Sequence, residues 1–180
     1  MYDIGTRFLL VLTMAACGLA AFACDVPGGG DGTLRPAVER TPAQQLGAGL
    51  HDGAALDRLD PDLLDAVLEA ARDAEDDGVR LRVTSGWRSR AHQVRLFAEA
   101  VERYGSEDEA SRWVASPDAS AHVSGDAVDI GPTDGATWLG RHGADHGLCQ
   151  TYANEVWHFE LLTTPGGACP EMLPDGSAAC

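Results

Sequence analysis

Apolar residues recur at helical spacing from Leu63 through Leu64, Val67 and Leu68 to Ala71. Steps of three and four place them on one helix face. Asp60 can cap this helix, Pro61 suits its first position, and Gly78 ends it. The period then shortens. In VRLRVTS, Val79, Leu81 and Val83 alternate with Arg80, Arg82 and Thr84, as in a half-buried strand. A second helix is predicted from about Arg90 to Tyr104, with Val94, Phe97, Val101 and Tyr104 on one face and Gly105 as its stop. The run SEDE, Ser106 to Glu109, is a capping box for a third short helix. DGATWLGRHG reads as a further short helix, and LCQTY and VWHFELL as two strands. Helices come first and strands later, which predicts an α+β fold, with N-terminal helices packed on a small antiparallel sheet. Trp113 and Trp138 read as core residues.

The flanks follow other rules. Arg7 precedes an apolar run, FLLVLTMAACGLAAFA, that is shorter than the roughly 20 residues a membrane-spanning helix needs. It ends in AFAC, with small residues where export cleavage sites have them. Residues 1–24 are therefore read as a signal peptide or lipoprotein leader, with Cys24 or Cys17 as the lipidation position and an uncleaved anchor as the remaining option. Residues 25–58 read as a flexible tether: DVPGGGDG is glycine-rich, and RPAVERTPAQQLGAG has prolines without a sustained period. The domain is expected over 59–165, followed by a tail over 166–180.

Composition narrows the partners. The chain has 180 residues, 44% hydrophobic and 23% charged, as one globular domain with flanking segments would. Its formal net charge of -15 excludes a nucleic-acid backbone as the natural partner, and the acids are spread as on a solvated surface. Beyond the leader lie Cys149, Cys169 and Cys180. Export permits disulfides, and a Cys149–Cys169 bridge would tie the C-terminal segment to the domain, but the odd count leaves the pairing open.

The candidate chemistry begins in SAHVSGDAVDI, Ser120 to Ile130. Asp129 is set in an apolar run, and a carboxylate there needs a partner. His122 is near, and further histidines stand at 142, 146 and 158. Of these, His158 stands out, because NEVWHFE places Glu155 three residues before it. Two histidines and one carboxylate form a three-ligand zinc site with an open fourth position, the catalytic form. Glu155 is then the spare acid, suited to general-base work. Taken singly, His122 is more often a hydrogen-bonded loop residue, and Asp129 a cap or the partner of a buried arginine. His92 reads as solvated, His51 falls in the tether, and His142 and His146 flank a turn. Trp87 and Trp157 suit either a cleft or the core.

Together the residues fit a pattern. SAHVSGDAVD matches Ser-x-His-x-x-Gly-x-Ala-x-Asp, EVWH matches Glu-x-x-His, and SGWRSRAHQ matches Ser-Gly-aromatic-Arg-Ser followed by Gln. In order and spacing these blocks resemble the VanY-type zinc D-alanyl-D-alanine carboxypeptidases, and RYGSEDEASRWV and HGADHGLCQTYANE look like actinobacterial members. The resemblance covers roughly Asp60 to Pro165. Val156 departs from it, since the family usually has proline after the catalytic glutamate. The resemblance implies a Hedgehog/D-Ala-D-Ala peptidase-like fold and Zn2+ held by His122, Asp129 and His158. It implies Glu155 as general base and then acid. Arg88 would hold an oxyanion or substrate carboxylate, and Ser120 and Gln93 would contact substrate.

The expectation is an exported monomer at the cell envelope. It would be secreted or lipid-anchored, would touch the membrane only through leader or lipid, and would trim the terminal D-Ala of peptidoglycan stem peptides. Alternatives are a D,D-dipeptidase, an L,D-carboxypeptidase or a wall endopeptidase. A non-catalytic wall-binding module would have no need of Glu155, and a zinc-stabilised structural domain would want a fourth protein ligand.

Overall fold

A computed structural model describes residues 54–178; the leader expected over 1–24, most of the expected tether and Cys180 lie outside that range. The order of elements is α1 Ala54–Asp57, α2 Pro61–Asp76, β1 Arg82–Ser85, α3 Arg90–Tyr104, α4 Glu107–Ser111, α5 Ala121–Ser124, β2 Ala127–Gly131, α6 Thr133–His142, β3 Leu148–Gln150 and β4 His158–Leu161. Single 3-10 turns occupy Gly143–His146 and Gly176–Ala178. The strands form one antiparallel sheet in the order β1-β2-β4-β3. The α+β expectation holds.

Helix α2 starts where its sequence says it should. The Asp60 carboxylate accepts hydrogen bonds from the amides of Asp62 and Leu63, and Pro61 follows it. Its buried stripe, Leu63, Val67, Ala70 and Ala74, packs with α6 residues Ala136 and Leu139 and with Leu81, Val83, Val128, Ile130 and Phe159 of the strand segments. That apolar layer leaves the opposite sheet face for polar side chains, because alternate residues of a strand point to opposite sides.

Four expectations are corrected. The tether does not extend to residue 58: Ala54–Asp57 is helical and Leu56 is buried in the core. On α3 the buried residues are Gln93 and Ala100, whereas Val94 and Tyr104 are exposed. Apolar spacing misses this face because the residue that anchors it is an amide. Trp113 is exposed and stacks on Tyr104, while Trp138 is buried as expected, its indole N–H donating to Asp77. Finally, the packed domain does not stop at residue 165, and the bridge considered between Cys149 and Cys169 is formed. Cys169 is bonded to Cys149 of β3, Leu173 bridges Tyr152, and Gly176 is buried against the Ser111 carbonyl.

Two local devices position the site. Gly125 has φ 97°, and a side chain there would strike the Arg58 carbonyl, so the end of α5 lies directly on the start of α2. The Asp60 amide donates to the Gly125 carbonyl at 3.0 Å across that contact. Strand β1 pairs regularly at Val83–Ile130 and then shifts register, so that Ser85 stands opposite Asp129. The extra residue turns Ser85 toward the polar face, as bulges beside sites commonly do.

The disulfide closes a 20-residue separation. Breaking it in a Cys149→Ser/Cys169→Ser double variant should lower the unfolding free energy by about 3 kcal/mol, read by urea unfolding. An unchanged midpoint would contradict its anchoring role.

Candidate active site

The polar sheet face carries Asp129 on β2 directly across from His158 on β4. Their side chains meet because cross-strand partners share a face. Helix α5 brings His122 alongside. The donor atoms of these three buried residues lie within 4.8 Å of one another. His122 Nε2 is 3.2 Å from His158 Nδ1, and Asp129 Oδ1 is 3.3 Å from each imidazole. The remaining ring nitrogens are occupied elsewhere: His122 Nδ1 lies 2.8 Å from the Gly86 carbonyl, and His158 Nε2 lies 3.0 Å from Glu160 Oε1. Two imidazoles and one carboxylate oxygen, each held from behind, suit a zinc-type ion with an open coordination position. The residues present therefore fit a metal.

Asp129 divides its two oxygens. Oδ1 faces the histidines, and Oδ2 accepts a 2.7 Å ion-pair hydrogen bond from Arg88 Nη2. Arg88 also donates through Nε to Ser85 Oγ at 2.9 Å. Its loop is stitched to α5, because the Arg88 amide donates to the His122 carbonyl and the Trp87 indole to the Val123 carbonyl. Gln93 is 1% exposed, with its amide N–H donating to the Ala115 carbonyl and its oxygen 3.4 Å from Arg88 Nη1. Gln93 thus backs Arg88 from behind. Ser120 is buried at the start of α5, makes no side-chain capping bond, and lines the cleft.

Glu155 reaches the same place from the turn before β4. The His158 amide donates to the Glu155 carbonyl at 3.2 Å, which folds the chain so that Glu155 Oε2 lies 3.9 Å from His158 Nδ1. All seven residues predicted for the site line one cleft of about 340 Å³, together with Trp113 and Trp157. His142 and His146 lie elsewhere: His142 stacks on Trp138, and buried His146 faces Asp73 at 3.3 Å. Three neighbours escaped the sequence reading. Ser85 is displaced by the bulge, Tyr152 sets its ring 5.0 Å from that of His158, and Glu160 follows His158 by two positions. Two of them had a signal: Ser85 opens the SGWRS block, and Glu160 stands at i+2 from His158, which on a strand shares the face.

The electrostatics follow from burial and pairing. Burial outweighs the help of Asp129 and lowers the His122 pKa. Burial would also lower His158, but hydrogen bonds to Asp129 and Glu160 and their charges lift it to about 9. For Asp129, burial works upward and is overcome by the hydrogen bonds of both histidines and the charges of His122 and Arg88, so its carboxyl stays well below the usual range. Burial raises Glu155, and the Asp129 charge adds to the rise against the pull of His158 and Arg88.

Residues 56–164 match the family described as VanY, D-alanyl-D-alanine carboxypeptidase. The chain belongs to this family. A curated relative, a D-alanyl-D-alanine carboxypeptidase of Enterococcus faecalis (strain ATCC 700802 / V583), is 32% identical over 140 residues, 63% of this chain. The chain spans about half the length of that relative, with 50% of it covered. Among solved structures, VanYB in complex with D-alanine-D-alanine superposes with a TM-score of 0.54 at 26% identity, covering 57% of this chain and 70% of the other. A mutant of a vancomycin-resistance D,D-pentapeptidase VanY in complex with Zn(II) gives 0.53 at 26%, covering 57% and 71%. An L,D-carboxypeptidase, DacB from Streptococcus pneumoniae, gives 0.50 at 25%, covering 60% and 68%.

The raised His158 pKa sets a pH dependence for the chelator-treated protein. A proton bound more tightly in the folded state contributes stability that is complete below pH 6.5 and lost as pH rises through 9. Urea unfolding should therefore show stability falling across that window, by up to about 1.4 kcal/mol per pH unit. His158→Gln should flatten the slope, and a flat wild-type profile would contradict a buried His158 cation.

Proposed function

We propose that this domain is a zinc-dependent D,D-carboxypeptidase that removes the terminal D-alanine from peptidoglycan stem peptides. The observation that carries the reading is the convergence of His122, Asp129 and His158 on a cleft that also holds Glu155 and Arg88. Membership of the VanY family and the likeness to a D-alanine-D-alanine complex support the substrate class.

His122, Asp129 and His158 would hold the ion. Zinc in such a site supplies Lewis acidity, polarising a carbonyl and bringing a water proton within reach of neutral pH. Glu155 takes the proton of the attacking water as general base. Its burial-raised pKa lets it keep that proton and pass it to the departing D-Ala amine as the C–N bond breaks. Arg88 presents a guanidinium already oriented by Ser85, Gln93 and Asp129, suited to a terminal carboxylate or to the carbonyl oxygen as it gains charge. Ser120 offers a hydroxyl to the substrate, and Gln93 serves it through Arg88.

The disulfide among the described residues suits an oxidising compartment and supports the exported reading. On that reading the chain works as a monomer in the cell envelope, secreted or lipid-anchored at Cys24. The likeness to an L,D-carboxypeptidase favours a second reading, in which the same groups cut an L,D bond.

The test incubates the full chain with a pentapeptide ending in D-Ala-D-Ala and a tetrapeptide ending in one D-Ala, followed by mass spectrometry. Loss of a single D-Ala from the pentapeptide is expected. Chelator should abolish it, and Glu155→Ala should lower kcat by about 100-fold or more. Cleavage of the tetrapeptide alone would favour the second reading. No cleavage of either by zinc-loaded protein would sink both.

A further inference from the structure

On β4, Glu160 follows His158 by two residues and so shares its sheet face. Its side chain is only 15% exposed, and across the sheet it meets Ala127 and Cys149, neither of which offers a charge. A carboxylate so far from water is costly unless a donor meets it. Here the donor is the His158 ring: Nε2 lies 3.0 Å from Glu160 Oε1, within charge-assisted hydrogen-bond range. The other ring nitrogen, Nδ1, is the one that faces Asp129 Oδ1 and His122 Nε2.

A histidine can present a lone pair from one nitrogen only if the other carries the proton. An acceptor at Nε2 therefore selects the tautomer whose Nδ1 lone pair points at the other donors, and it also holds the ring plane. His122 is arranged the opposite way, with the Gly86 carbonyl behind Nδ1 and Nε2 turned inward. One imidazole is backed by a neutral carbonyl and the other by a carboxylate.

We infer that Glu160 is a positioning residue for the metal centre, holding His158 in the tautomer and orientation in which Nδ1 is the ligand atom. The inference rests on the reading of His122, Asp129 and His158 as metal ligands. Glu160 touches neither the ion nor the substrate. It acts through His158, and losing such a partner typically weakens metal binding about 10–100-fold.

The test is competition for zinc between the full chain and a chromophoric chelator at fixed pH. It would be run on wild type, Glu160→Ala and Glu160→Gln, with circular dichroism confirming that each is folded. Wild type should bind one zinc per chain, and Glu160→Ala should bind about 10–100-fold more weakly. Glu160→Gln, whose amide oxygen can still accept from Nε2–H, should recover most of the loss. A purely structural carboxylate would not give that pattern at equal fold content.

Failure to bind zinc at all in wild type would overturn the metal reading and this inference with it. Tight wild-type binding with an unaltered Glu160→Ala would overturn the inference alone, as would a Glu160→Gln no better than Glu160→Ala. If Glu160→Ala does not fold, imidazole nitrogen NMR of zinc-loaded wild type decides. Nε2 protonated with Nδ1 bound to metal is expected, and the reverse assignment would overturn the inference.

Discussion

The centre of this domain depends on one buried carboxylate. Asp129 sits mid-strand at 8% exposure, where an unpartnered charge would be strongly destabilising. It is retained because both oxygens are engaged, Oδ1 by two imidazoles and Oδ2 by the Arg88 guanidinium. Those partners come from three separate segments: the loop after β1, helix α5 and strand β4. The same contacts that make the charge tolerable also assemble the candidate ligands around it. This coupling explains why the candidate site is buried yet polar.

The scaffold meets the constraint by strict division of the sheet. Val128, Ile130 and Phe159 face the apolar layer under α2 and α6, while Asp129 and His158 face the cleft and Glu160 stands behind His158. Slipping β4 by one residue against β2 would bring Phe159 opposite Asp129 and reverse both faces. The apolar residues alone therefore impose the register that brings His158 to Asp129. The shift in β1 is the one break in this regularity, and it delivers Ser85 to Arg88. The C-terminal stretch adds a wall of its own: Gly176 lines the cleft beyond the part of the chain that matches the family.

Helices α2 and α3 were legible because local signals mark their ends: Asp60, Pro61 and Gly78 for one, and Gly105 as the stop of the other. That His122, Asp129, His158 and Glu155 share one cleft was legible because three motifs carry residue types whose chemistry is specific. The buried face of α3 was not legible. Gln93 is internal only because Ala115 and Arg88 satisfy its amide, and those partners lie outside any local period. Trp113 misled for a related reason, since a large apolar side chain is read as core when its neighbour Tyr104 keeps it at the cleft rim.

The sequence by itself determined the fold class, the boundaries of the long helices and the residue types that could bind a metal. Each is encoded by spacing along the chain: 3.6 for helices, 2 for strands, and fixed intervals in the motifs. Only the tertiary structure decided which nitrogen of each histidine turns inward and how Asp129 shares its oxygens between Arg88 and the imidazoles. It also decided that Glu160 stands behind His158 and that residues 166–178 fold back on the domain. Those outcomes depend on distances between segments far apart in sequence. They follow from packing and sheet register, which no local pattern contains.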